Sequence, residues 1–393
     1  MSGVATGPVA PEHTMQREIG RWDRGRPGPT LLITGGIHGN EPAGVHAAER
    51  VLAVLQEREP DFRGRFVALR GNLSALSSKR RFLDRDLNRG WGDEAIAATR
   101  ERPEHERSPE DREQLELIDA FVEVERTASG PILFVDLHTS SAEGSPFLCL
   151  ADTIDNRRLG MSTGVPIILG IEETIAGASL EWFADRGIAG FAVEGGQHDS
   201  DEAVDNHEAV LWGLLVKLGM LEAGFVDLAS HQQTLRRAIG DAPAIVEITH
   251  REEIAPEDRF RMEPGFVNFS RVQKGQLLAK DRRGDIRAPS TCHVMLPLYQ
   301  EQGDDGFFLA RRVQWFWLWL AKWLRALRLG GLLPLLPGIS RAPGDRNTLL
   351  ANPRVARWFV VEIFHLLGFR KESRRGDRLA FARRVSRPEN RRL

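Results

Sequence analysis

Cysteine is scarce in this 393-residue sequence: Cys149 and Cys292 stand far apart and form neither a CxxC pair nor a disulfide framework. A cysteine-built metal site is excluded, so any bound metal must use histidine and carboxylate ligands. Tyrosine occurs once, at Tyr299. No export leader is expected, because the N-terminus mixes acidic and basic residues without an apolar core, and the expected location is cytoplasmic. No apolar run is long and clean enough to span a membrane. The densest, VQWFWLWLAKWLRALRLGGLLPLLPGI, is interrupted by Lys322, Arg325 and Arg328 at three-residue intervals and reads as an amphipathic helix.

What is present is an ordinary globular balance, 41% hydrophobic and 27% charged residues, with a net charge of only -2. That figure conceals a division. Residues 311–393 carry 19 Lys/Arg against 5 Asp/Glu, which leaves the first 310 residues with 34 against 50. A basic tail beside an acidic body implies either packing of one on the other or contact with an anionic surface.

From Pro29 to about Ala223, apolar runs such as TLLIT, RFVALRG and PILFVDLH alternate with helix-like segments such as AGVHAAERVLAVL. The alternation predicts an α/β sheet domain with helices on both faces. The charged segment Glu101 to Glu113 predicts a surface loop leading into a helix. Near Ala242 the texture changes to short β-branched or apolar runs separated by glycine, as in GFVNFSRV and CHVMLPLY, which predicts a small β domain. Three regions are therefore expected: a catalytic domain over 1–235, a β domain over 236–310, and a Trp-rich, helical and basic extension over 311–393.

The stretch GGIHGNEP at 35–42 leaves a predicted strand, turns through glycines and enters a helix at Pro42. His38 and Glu41 in that turn can converge on one ion. A catalytic zinc takes three protein ligands and leaves a place for water, so a third ligand should end another strand. His138, after ILFVDL, has that position. A lone histidine more often satisfies a local hydrogen bond, but two ligand types in one glycine turn plus a strand-end histidine favour a single zinc per chain. Glu194 in FAVEGGQH ends another apolar run and suits the general base for a metal-activated water. His198 either lines the pocket or caps a loop. In RRFLDRDLNR, Arg81 could stabilise an oxyanion, and Asn88 with Arg89 could anchor a substrate carboxylate; a solvated ion-pair network is the plainer reading of that run.

GGIHGNE, RFLDRDLNR, DLHTS and VEGG, in this order, resemble the succinylglutamate desuccinylase/aspartoacylase family, relatives of the zinc carboxypeptidases. GFVNFSRVQKGQLLAKDRRGDIRAPS resembles that family's C-terminal β domain. The resemblance implies a mixed β-sheet flanked by helices, zinc on His38, Glu41 and His138, water activation by Glu194, carbonyl polarisation by Arg81, and a substrate carboxylate on Asn88 and Arg89. The implied reaction is deacylation of a small anionic N-acyl amine, with a carboxypeptidase-like peptidase or an esterase on the same zinc as the alternative. The family's specificity arginine near the catalytic glutamate has no secure counterpart, though Arg186 lies close by. The extension could pack on the protein, the favoured outcome, or serve self-association or a membrane surface. Nucleic acid is not expected, since the basic end has no recognisable reading module.

Overall fold

The computed structural model describes residues 15–393 apart from 172, 173, 176, 315, 317, 318, 321, 322, 325, 326, 328, 344, 353, 354, 356–366, 368, 376, 377 and 383–386. The strands of the N-terminal region are β1 (Glu18–Asp23), β2 (Thr30–Gly35), β3 (Arg65–Arg70), β4 (Ile132–Ser140), β5 (Phe147–Leu150), β6 (Ile167–Leu169) and β7 (Ala189–Gln197). They are followed by β8 (Ile245–Glu253), β9 (Arg261–Met262), β10 (Ser270–Val272), β11 (Leu277–Asp281), β12 (Gly284–Arg287), β13 (Cys292–Met295) and β14 (Asp305–Arg312). Helices α1 (Ala43–Arg58), α2 (Leu73–Ser78), α3 (Asp93–Glu101), α4 (Pro109–Thr127), α5 (Ile154–Thr163), α6 (Ser179–Asp185), α7 (Asp201–Lys217) and α8 (Leu228–Ile239) lie between them.

One mixed sheet of 11 strands runs β1-β3-β2-β4-β7-β5-β6-β8-β14-β13-β10. Its centre is parallel, β3-β2-β4-β7. Strand β2 shows why these strands are apolar throughout. Leu31 and Ile33 enter a core shared with α1 and α7, while Leu32, pointing the other way, enters a core with Leu117 and Phe121 of α4 and Trp182 of α6. Both faces are covered, so no position can be polar without a partner. The charged segment before α4 does lead into a helix: Ser108 and Asp111 form a capping box and Pro109 opens the first turn.

The β region does not stand apart from the catalytic sheet, because β8 pairs in parallel with β6 and antiparallel with β14. A separate sheet, β12-β11-β9, shares a small core with β10, β13 and β14 of the main sheet. The extension includes helical residues at 316, 319, 320, 323 and 324. It also contains a four-stranded antiparallel sheet of β15 (Ile339–Ala342), β16 (Asp345–Ala351), β18 (Arg378–Ala382) and β17 (Arg370–Arg375). Most of the apolar stretch VARWFVVEIFHLLGF lies outside the described residues. The chain's end returns to the catalytic domain: Asn390 Nδ2 donates to the Gly187 carbonyl at 2.7 Å, and Leu393 is buried in the main core. No helix among the described residues is long and apolar enough to cross a membrane.

Candidate metal centre and active site

The site lies at the C-terminal ends of the parallel strands, where the sheet's connections leave room for a ligand. After β2 the chain turns at Gly36, whose φ of +72° belongs to the left-handed region that favours glycine. Gly39 is required for a different reason. A Cβ there would meet the Ala75 carbonyl carbon at 2.0 Å, so only a glycine lets the turn lie against α2.

This turn brings His38 and Glu41 beneath the end of β4, where His138 emerges, and all three side chains are buried. One ligand atom from each lies within 4.8 Å of the others. The His38 Nδ1 is 2.8 Å from Glu41 Oε1, and the His138 Nδ1 is 3.1 Å from Glu41 Oε2. The opposite ring nitrogens face two further carboxylates, His38 Nε2 to Asp86 Oδ1 at 3.0 Å and His138 Nε2 to Asp136 Oδ2 at 3.1 Å. Donation of Nε2–H to those aspartates leaves both Nδ1 lone pairs aimed at a carboxylate, an arrangement of acceptors only that calls for a cation.

The electrostatics agree. Burial alone would raise Glu41, but the neighbouring imidazoles hold it well below the usual carboxylate range. Burial alone would lower His138, yet Asp136 and Glu41 carry it well above the usual imidazole range. Three buried carboxylates thus draw positive charge to this spot, and a divalent ion supplies it without a proton. The two imidazoles and one carboxylate fit zinc.

Glu194 sits on β7 in register with His138 on β4. Its Oε2 is buried without a hydrogen-bond partner among the described residues, and burial raises the carboxyl to about 7. Arg81 donates to Glu41 Oε1 at 3.2 Å and to Asp86 Oδ2 at 3.1 Å. The loop that carries it is held by Glu110, which is fully buried and accepts from the backbone N–H groups of Leu83 and Asp84 at 2.8 and 3.1 Å. The run 80–89 is therefore a built loop rather than a solvated face. Asn88 Oδ1 accepts from the Ser179 N–H at 2.8 Å, and Arg89 Nη2 contacts Asp305 Oδ2 at 3.3 Å.

His38, Glu41, His138, Glu194, Arg81, Asn88 and Arg89 line one cavity of about 170 Å³, to which the 296–305 segment also contributes. His198 lines it too. Its Nδ1 pairs with Thr139 Oγ1 at 2.8 Å and its Nε2 with Gln300 Oε1 at 3.0 Å, which ties the β7 end to the β region. Arg186 takes no part: its guanidinium stacks on the Trp182 ring at 3.7 Å, away from the cavity. Tyr299 is structural, its hydroxyl donating to the Glu263 carbonyl and accepting from the Phe266 N–H.

Sequence reasoning assigned no role to Asp86, Asp136 or Gln300. Asp136 left a signal, since a residue two before His138 on a strand shares its face. Asp86 and Gln300 left none, because only the fold brings them near.

Residues 27–174 match the sequence profile of the succinylglutamate desuccinylase/aspartoacylase catalytic domain. Over that stretch the chain is similar to the succinylglutamate desuccinylase/aspartoacylase family. Two curated relatives are the succinylglutamate desuccinylase of Photorhabdus laumondii, 40% identical over 63 residues, and that of Pseudomonas paraeruginosa, 37% identical over 79 residues. The aligned segments cover 16% and 18% of this chain but only 19% and 24% of those proteins, so the chain matches about a fifth of their length. Solved structures of the same fold extend further. The product-bound ectoine utilization protein EutE (DoeB) from Ruegeria pomeroyi superimposes with a TM-score of 0.53 at 19% identity, covering 72% of this chain and 86% of that one. Murine aminoacylase 3 gives 0.51 at 19% identity, covering 73% and 96%.

Proposed function

We propose that this protein is a zinc-dependent amidohydrolase that removes the acyl group from a small carboxylate-bearing N-acyl amine. The observation that carries the reading is the convergence of His38, Glu41 and His138 as acceptors, with Asp86 and Asp136 behind the two imidazoles. A bound zinc supplies Lewis acidity and lowers the pKa of water. The chain's own residues do the rest. Glu194, with a carboxyl near 7, takes a proton from the attacking water and returns it to the departing nitrogen. Arg81 donates to the oxygen of the reacting carbonyl as it gains charge. Asn88 and Arg89 hold the substrate carboxylate and fix its orientation. Products are a carboxylic acid and a free amine.

The cavity's limited volume of about 170 Å³ supports small substrates over peptides, which need an extended groove. The test is a screen of N-acetyl and N-succinyl amino acids with zinc-loaded protein, reading the released amine, alongside Glu194→Gln. At least one substrate should turn over, and the variant should keep its zinc and lose roughly 100-fold or more in rate. Full turnover by the variant would remove Glu194 from its role.

A further inference from the structure

The cavity holds one carboxylate anchor and one apolar wall, and the two adjoin. Ile171, Ile175, Leu180, Leu296, Leu298 and Phe308 line the wall. The segment bearing the first three is pinned to the anchor: besides the Ser179 bond to Asn88, the Trp91 N–H donates to the Gly177 carbonyl at 3.0 Å. Arg251, which pairs with Asp305, also donates to the Thr174 carbonyl at 2.8 Å. Behind the wall lies a hydrophobic cluster containing Phe308, Cys149 and Met295, with Ile171, Ile175 and Leu296 packed on it. Ile171, Ile175, Leu296 and Phe308 thus belong to the surface of a core.

Charge sharpens the picture. Among the described residues Arg81 and Arg89 are the two guanidinium groups that line the cavity, and both are already paired, Arg81 with Glu41 and Asp86, Arg89 with Asp305. Asp304 and Glu181 lie on the same lining. A ligand bringing one carboxylate can share Arg89. A second carboxylate would meet hydrocarbon and like charge, and burying it there without a partner is costly.

An α-amino acid carries its carboxylate and its side chain on the same carbon, so a ligand anchored at Arg89 turns its side chain onto the adjoining wall. Resting on the deacylase reading above, we infer that the amine this site releases is an α-amino acid with a hydrocarbon side chain, selected by Ile171, Ile175 and Phe308, and not a dicarboxylic one. The wall gains from each buried methylene, while in glutamate or aspartate that gain is outweighed by a second carboxylate set unpaired against hydrocarbon and like charge.

Binding reads the pocket without turnover. Zinc-loaded Glu194→Gln protein is titrated calorimetrically with the Nα-acetyl derivatives of leucine, phenylalanine, glutamate and lysine. Acetyl-leucine or acetyl-phenylalanine should bind at least about tenfold more tightly than the other two. Tighter binding of acetyl-glutamate, tighter binding of acetyl-lysine, or binding of none overturns the inference. Ile175→Arg in the same background should reverse the order of leucine and glutamate; an unchanged order would also overturn it. Failure of the deacylase reading is visible separately, as no released amine from any of the four with the unmodified enzyme.

Discussion

Asp86 accepts a hydrogen bond from His38 across 48 residues of chain, Nε2 to Oδ1 at 3.0 Å, while its other oxygen accepts from Arg81. Burial alone would raise this carboxyl, but His38 and Arg81 hold it well below the usual range, so it stays an anion beneath the ligand. It fixes the tautomer that frees His38 Nδ1. Asp86→Ala is expected to weaken zinc binding about 10- to 100-fold while keeping one ion per chain, as read by chelator competition. Equal affinity would show that His38 needs no such partner.

How legible this was depends on distance along the chain. His38 and Glu41 share one turn, and the strand-end positions of His138 and Glu194 follow from their apolar runs, so local pattern sufficed. Asp86 and Gln300 reach the site only through topology. The sheet of the extension was hidden for another reason: β17 reads RKESRR, without apolar alternation, and becomes a strand by pairing with β18. The Trp-rich run gave a helical signal, and residues 316, 319, 320, 323 and 324 are helical, while the run ends in turns and the first residue of β15.

His207 is fully buried behind β7, so close that a Cβ on Gly195 would meet its Nε2 at 2.5 Å. Burial lowers the group from 6.5 to about 4, outweighing the His138 backbone, which favours the protonated ring. The unfolded chain therefore takes up a proton that the folded one refuses between these values. The stability this histidine contributes is complete above pH 6.5 and falls as the pH drops toward 4. Urea unfolding at pH 7.5 and 5 should show a loss about 2 kcal/mol larger for the parent than for His207→Leu. Equal losses would mean the ring is protonated or solvated in the fold.

Asn390 fastens the chain's end to the catalytic domain. Its amide and the Arg387 N–H both donate to the Gly187 carbonyl, at 2.7 and 3.1 Å, and Arg158 donates to its carbonyl at 3.2 Å. Removing residues 387–393 also strips Leu393 from the core, so stability should fall by on the order of 3 kcal/mol. Asn390→Ala alone should cost about 1 kcal/mol. A truncated protein with an unchanged denaturation midpoint would contradict this docking.

Phe316, Trp319 and Trp323 stand exposed in a row, successive rings 6.3 and 6.2 Å apart, within an extension holding 19 Lys/Arg against 5 Asp/Glu. Aromatic exposure beside positive charge suits an anionic membrane surface. The full chain is expected to sediment with anionic vesicles at low salt and to be released at high salt, with Trp319→Ser and Trp323→Ser together reducing the bound fraction. No sedimentation at low salt would exclude that role.

The most direct measurement is metal content. Purified protein equilibrated with a small excess of zinc and then desalted should retain one zinc per chain by elemental analysis, and His38→Ala, with its fold confirmed by circular dichroism, should retain almost none. A parent protein that keeps no zinc, or a folded His38→Ala variant that keeps a full equivalent, would contradict the assignment of His38, Glu41 and His138 as the metal centre.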